Sequence, residues 1–280
     1  MSASAAVMSV ILLETAVGGA VVLWASGVWG RVRRGFFLLM GVSLVLCAVG
    51  AWALTRSVVQ DAPAQLAAEQ QVDDATVDES LVALAGPAGP RAVTGLAVFA
   101  GLLALWQVLL VAGQRMASLV VGLGAAAAGL VALVLYAFVR EPDVGAAGAE
   151  LALGSVFLGS TLFGLLLGHW YLVERRLSNV YMVRSSWWYI GGVAAAVAAV
   201  ALSALNPVKA PSAGFNPLLA IPSFNLLLAG GLVFICAVIA GFVWKLAQEG
   251  GRSIQAATGM FYLAVIMAFS AELSTKFRFF

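Results

Sequence analysis

Eight long apolar segments fill most of this 280-residue chain, and its few charged residues lie almost entirely at the ends of these segments. A helix needs about 20 predominantly apolar residues to cross the roughly 30 Å hydrocarbon core of a bilayer. The sequence therefore predicts an all-α fold, a polytopic integral membrane bundle of eight transmembrane helices. The predicted spans are about 5–28, 36–54, 92–113, 117–138, 150–173, 187–205, 225–247 and 255–273.

The composition fits a membrane protein and excludes a soluble enzyme. Hydrophobic residues make up 62% of the chain and charged residues 10%, whereas soluble domains carry about 25% charged residues. We expect the lipid bilayer, and not nucleic acid, as the partner of such a surface. Cys47 and Cys236 lie inside apolar segments, where a thiol behaves as a small hydrophobic group. This composition fits a bacterial inner membrane, with residues 1–280 as one multi-pass transmembrane domain.

Lysine and arginine are distributed unevenly between the two sides of the predicted bundle. Nine lie on the side of the short connections: Arg31, Arg33, Arg34, Arg115, Arg175, Arg176, Arg184, Lys245 and Arg252. Six lie on the other side: Arg56, Arg91, Arg140, Lys209, Lys276 and Arg278. Because cytoplasmic connections carry the excess of basic residues, the sequence predicts that both termini face outward.

Four hairpins, each turning on the basic side, account for the eight segments. The longest outer connections, 55–91 and 206–224, follow the first and third hairpins. One interpretation is a parallel repeat of two halves, 1–138 and 149–280, and the other is a plain succession of hairpins. The 55–91 loop combines polar residues with a Pro/Gly-rich end, which indicates a short polar helix and a linker, or alternatively a mobile loop. The proline-rich 206–224 connection suggests a segment against the outer membrane surface, either a docking surface or a passive cover.

Glu14 is the clearest candidate for chemistry, because it lies near the middle of the first apolar segment. An ionisable side chain inside a membrane is costly and by default marks a functional site. Its carboxyl group must be protonated or paired there. The functional interpretation is a catalytic proton relay or a quinone-headgroup partner, and the alternative is a neutral acid that hydrogen-bonds a neighbouring helix.

The only histidine, His169, lies near the basic end of the fifth segment, beside Trp170 and Tyr171. Histidine can exchange a proton near neutral pH, and an aromatic frame suits a quinone ring. We therefore predict these three residues as quinone-binding, with Gln107 of the third segment in the same half of the membrane. The alternative is an ordinary aromatic belt at the level of the lipid headgroups.

A single histidine argues against haem, because a membrane cytochrome b usually holds its haem between two histidines. The sequence also lacks a cluster of His, Asp and Glu residues with the spacing of metal ligands. We expect a chain with no haem, iron–sulfur centre or catalytic metal of its own.

Both ends of the chain, SVILLETAVGGAVVLW and TGMFYLAVIMAFSAELSTKFRFF, resemble the first and last helices of the membrane-anchor subunits of DMSO and polysulfide reductases. The likeness rests on AVGG at 16–19 and on the Ala-Glu step at 271–272, which basic and aromatic residues follow. The resemblance implies eight helices, outward termini, no haem and a quinol site. It also implies electron transfer between quinone and an extracytoplasmic iron–sulfur partner. Glu14 and Glu272 are the acidic residues nearest these motifs.

Three functions remain open from the sequence. The first is a quinone-interacting subunit of a respiratory or electron-transfer complex, either a quinone-site or a non-catalytic subunit of an oxidoreductase, with iron–sulfur or cytochrome partners. The second is a transporter or channel, in which buried polar residues line a path. The third is a structural subunit, which requires no chemistry.

Overall fold

The computed structural model describes residues 2–27, 34–70, 79–140, 143–174, 176–205 and 224–277, which are almost entirely α-helical. Eight helices in these ranges are long and apolar enough to cross a membrane, which confirms the predicted all-α membrane bundle. In chain order the helices are α1 (Ser2–Ser26), α2 (Arg34–Glu69), α3 (Glu79–Ala85), α4 (Ala88–Val111), α5 (Arg115–Ala137), α6 (Val144–Val173), α7 (Val180–Leu205), α8 (Phe224–Glu249) and α9 (Ser253–Lys276). The short α3 is the helix that does not span.

The second helix continues well beyond its predicted membrane segment at 36–54. It ends at Glu69, although Pro63 lies inside it. Residues 61–69 include four alanines, one leucine, one glutamine and one glutamate, all of which favour helix. The described part of the predicted outer loop, 55–91, is therefore largely helical, and the alternative of a mobile loop is wrong there.

Two other predicted connections have different outcomes. α6 begins at Val144, before its predicted start at 150, because the Asp143 side chain caps it by accepting hydrogen bonds from the backbone N–H groups of Gly145 and Ala146 at 2.9 and 3.0 Å. The predicted surface segment at 206–224 lies outside the described residues up to position 223.

At one end of the bundle, which we name the hairpin face, α1 is followed by α2, α4 by α5, α6 by α7 and α8 by α9 after three to seven residues. Gly113, Gly250 and Gly251 adopt positive φ angles of 74°, 70° and 57° in two of these connections, a conformation that glycine adopts without steric cost. The opposite end, where α1 begins and α9 ends, is the terminal face. The outward orientation of the terminal face stays a prediction from the charge distribution.

Each half of the chain forms a ring of four helices. α1, α2, α4 and α5 pack in that order and α5 returns to α1, while α6, α7, α8 and α9 form a second ring in the same way. The first helices of the two rings, α1 and α6, also pack against each other at the centre. In the most apolar 18-residue stretch of α1 and of α6, 72% is buried inside the protein, against 28–39% in the other six spanning helices.

Glycine allows the two central helices to cross in backbone contact. A Cβ atom on Gly18 of α1 would collide with the carbonyl oxygen of Ser155, and one on Gly159 of α6 would collide with the backbone of Gly18 and Gly19. Small residues stabilise such crossings because close backbones gain van der Waals contact that lipid does not supply. The AVGG stretch thus packs α1 against α6 and fixes the level of Glu14 relative to the second ring.

Candidate functional site

Glu14 is buried in a cluster of three charged side chains between α1 and α9. The Lys276 Nζ atom lies 2.8 Å from Glu14 Oε1 and 3.1 Å from Glu272 Oε2. The side chains of Glu14, Lys276 and Glu272 are 0%, 2% and 4% exposed. Glu272 and Lys276 are four residues apart on α9 and form a local ion pair, and the fold adds Glu14 to it.

Helix α6 supplies the space for the Glu14 carboxyl group. A Cβ atom on Gly154 would lie 2.7 Å from Glu14 Oε1 and 2.9 Å from its Cδ, so a larger residue there would displace the side chain. The second oxygen, Oε2, has no hydrogen-bond donor in the part of the chain that the structure describes. One carboxylate oxygen is therefore free to carry a proton.

Two carboxyl groups of this cluster surround one ammonium group, so these three described groups carry a net charge of −1 when all are ionised. Arg140 also interacts electrostatically with Glu14 and Lys276, although its own ion pair is with Glu150. An uncompensated charge in a low-dielectric interior is strongly unfavourable. Binding one proton would make this set of three groups neutral.

A second buried ion pair lies between the two rings. Arg140, which follows α5, donates from Nη2 to Glu150 Oε2 at 2.7 Å, and the Ser203 hydroxyl donates to Glu150 Oε1 at 2.6 Å. In both ion pairs the cation follows or ends the last helix of one ring, and the carboxylate lies in the first helix of the other ring. The two pairs therefore link the rings reciprocally.

His169 forms a different polar site with a residue that sequence analysis did not select. Its Nε2 and Nδ1 atoms lie 3.0 and 3.2 Å from the Tyr262 hydroxyl oxygen on α9. The imidazole ring of His169 and the phenol ring of Tyr262 meet edge to face, with centroids 5.5 Å apart. His169 is half-buried and Tyr262 is 48% exposed.

The other predicted quinone contacts face different helices. Trp170 packs on Gly35 and Phe36 of α2, and its Nε1 donates to Glu174 at 3.1 Å. Tyr171 turns towards the beginning of α7. Successive residues of a helix point about 100° apart, because an α-helix has 3.6 residues per turn. The structure therefore does not bring His169, Trp170 and Tyr171 to one surface.

Gln107 lies apart from these aromatic residues, in the interface of α2 and α4. A Cβ atom on Gly41 would collide with the Gln107 amide group, so the amide fits into the notch that this glycine leaves. Neither polar atom of the amide has a hydrogen-bond partner among the residues described. The structure does not join Gln107 to His169.

The two polar sites lie at different levels of the bundle. Gly154, which contacts Glu14, and His169 are both in α6, about 22 Å apart along its axis at roughly 1.5 Å per residue. The Glu14 cluster lies towards the terminal face and the His169–Tyr262 pair towards the hairpin face. Within the described ranges, no group of three His, Cys, Asp or Glu side chains is placed to hold a metal ion.

Comparisons with protein-family models, with curated proteins and with solved structures find no match to this chain. Its function is therefore inferred from the chemistry of these two polar sites. Sequence analysis missed Arg140 and Glu150 as site residues, because both lie near segment ends where charged residues are ordinary. It missed Tyr262 because its partner, His169, lies on another helix. Their significance depends on the partners that the fold gives them.

Proposed function

We propose that this protein is a quinone-interacting integral membrane subunit of a respiratory or electron-transfer complex. The observation that carries the proposal is the burial of Glu14, Lys276 and Glu272 as one cluster in a bundle of predominantly apolar helices. Glu14 is the proton-exchanging residue in this proposal. Quinone reduction consumes protons and quinol oxidation releases them, and a buried carboxyl group that can bind a proton is suited to take part in their transfer.

The two segments that carry the resemblance to reductase anchor subunits meet in this cluster. They lie at opposite ends of the sequence, and each contributes an acidic residue, Glu14 from α1 and Glu272 from α9. The Lys276 ammonium group joins the two residues. We propose that iron–sulfur or cytochrome partners supply or accept the electrons, and that the complex lies in a bacterial inner membrane.

The Glu14→Gln variant tests the proton-exchange role. It keeps the size of the side chain and removes its ability to ionise. We expect quinone-dependent turnover of the co-purified complex to fall at least about tenfold while bound quinone and partner subunits stay at the wild-type level. The matched control is Glu249→Gln, which changes an exposed carboxylate at the hairpin face.

Two results would contradict this proposal. In the first, tagged protein in a mild detergent co-purifies with neither quinone nor redox partners by mass spectrometry. In the second, the complex forms and Glu14→Gln turns over quinone as fast as the wild type, which removes Glu14 from the proton path and leaves quinone binding untested by that variant alone.

The reciprocal ion pairs between two similar rings favour a second candidate, a proton-coupled transporter. Transporters are often built from repeated halves with their coupling site at the interface. Their binding sites generally use broken helices, whereas α1 and α6 run unbroken past Glu14 and Glu150, which favours the quinone proposal. Substrate-dependent proton flux in proteoliposomes, with quinone at background level, would identify a transporter.

A further inference from the structure

We propose that Tyr262 and His169 form the contact for the quinone headgroup, in a lipid-facing seam between α6 and α9 near the hairpin face. This inference rests on the proposed function and specifies where the quinone binds. Because the headgroup would lie about 22 Å along α6 from the Glu14 cluster, Glu14 acts in it as a proton relay and not as a headgroup contact. The inference also requires the redox partner to reach the hairpin face, because the chain is expected to hold no redox centre of its own. It replaces the predicted group of His169, Trp170 and Tyr171 with a pair that two different helices supply.

The geometry of the pair suits hydrogen bonding to a quinone. The Tyr262 hydroxyl lies 3.0 Å from His169 Nε2. A hydroxyl donates one hydrogen bond and accepts others, and a neutral imidazole has one donor and one acceptor nitrogen. The pair can therefore donate to a quinone carbonyl oxygen and, after rotation of the hydroxyl, accept from a quinol hydroxyl group.

A ligand dissolved in the membrane can reach this pair. Tyr262 is 48% exposed, and Gly259 lies one turn earlier on the same face of α9. A Cβ atom on Gly259 would meet no atom within 4 Å. The surface of α9 is therefore open at Gly259, on the same side as Tyr262, and the adjoining bilayer accommodates an isoprenoid tail.

The neighbouring aromatic residues use their polar atoms inside the protein. The Tyr171 hydroxyl donates to the Ser178 carbonyl oxygen at 2.6 Å and accepts from the Met182 N–H at 3.1 Å. Trp170 donates its only side-chain N–H, at Nε1, to the Glu174 carboxylate. Of His169, Trp170 and Tyr171, His169 is the residue whose ring nitrogens lie beside an exposed polar group, the Tyr262 hydroxyl. The proposed headgroup contact therefore consists of His169 and Tyr262.

Photolabelling of the full chain, together with its co-purified partners in nanodiscs, tests this site. A photoreactive azido-quinone is cross-linked, and competition by decylubiquinone gives an apparent Kd for the wild type and for Tyr262→Phe, His169→Leu and Trp187→Phe. The control Trp187→Phe changes an exposed aromatic side chain on α7, 55% exposed and packed against Trp244. Size-exclusion chromatography checks that each variant keeps its assembly.

We expect Tyr262→Phe and His169→Leu each to raise the apparent Kd at least about tenfold, and Trp187→Phe to change it less than twofold. Cross-linked peptides should come from α6 and α9. Saturable labelling that Tyr262→Phe leaves within twofold of the wild type, or that maps to other helices, overturns the site and leaves the proposed function standing. The absence of saturable labelling in the wild type overturns both.

Discussion

Removing the Lys276 ammonium group should destabilise the protein more than removing any exposed cation. Lys276→Met keeps the length of the side chain and leaves Glu14 and Glu272 without their shared counter-ion. Two unit charges about 3 Å apart attract by roughly 5.5 kcal/mol at an effective dielectric constant of about 20, and most of this offsets desolvation. Loss of one partner from a buried ion pair costs about 3–5 kcal/mol, because it leaves a buried charge uncompensated. We expect a loss of that size in the free energy of unfolding.

The free energy of unfolding can be measured by steric trapping in bicelles. Lys245→Met is the matched control, because Lys245 is an exposed lysine near the hairpin end of α8. An exposed charge contributes about 0–1 kcal/mol, so the control should stay within about 1 kcal/mol of the wild type.

A further variant separates loss of charge balance from loss of packing. Lys276→Met combined with Glu14→Gln and Glu272→Gln removes every charge of the cluster, and replacing a complete buried ion cluster is often close to neutral. We expect this triple variant to recover most of the stability. Two results would contradict a role for charge balance: a free energy of unfolding for Lys276→Met equal to that of Lys245→Met, or a triple variant as unstable as Lys276→Met.

Two further predictions concern the contact between the rings. Gly159→Ala should destabilise the protein by about 1–3 kcal/mol, as overpacking does, because the added methyl group meets the backbone of α1. The control is Gly191→Ala, because a Cβ atom at Gly191 of α7 meets open space. Equal free energies of unfolding for the two variants would refute a close crossing of α1 and α6. Arg140→Met and Glu150→Gln should show a coupling energy above about 1 kcal/mol in a double-mutant cycle, because they change one buried pair at 2.7 Å. Additivity within about 0.5 kcal/mol would count against that pair as a link between the rings.

The two reciprocal ion pairs allow a small number of charged residues to hold the two rings of helices together. Lipid is as apolar as a leucine side chain, so apolar helices gain no hydrophobic free energy by associating in a membrane. Close packing at Gly18 and Gly159 and the two buried ion pairs supply the specificity instead. The rings consequently have one favoured relative position, which brings the carboxyl group of Glu14 to Gly154.

The sequence by itself determined the number and approximate positions of the eight membrane helices, because hydropathy over about 20 residues is a local property. It also singled out Glu14, since a carboxyl group in an apolar segment is visible without any knowledge of the fold. The length of α2 beyond residue 54 was missed, because a polar, alanine-rich sequence is compatible with either a loop or a helix.

Only the tertiary structure decided which residues act together. Lys276 meets Glu14 because α9 packs beside α1, at the other end of the chain. His169 contacts Tyr262 on α9, whereas Trp170 faces α2 and Tyr171 faces α7. The three differ because each successive side chain of a helix points about 100° away from the one before. Partners across the bundle depend on helix order, rotation and depth, and these are set by packing between segments that are distant in the sequence.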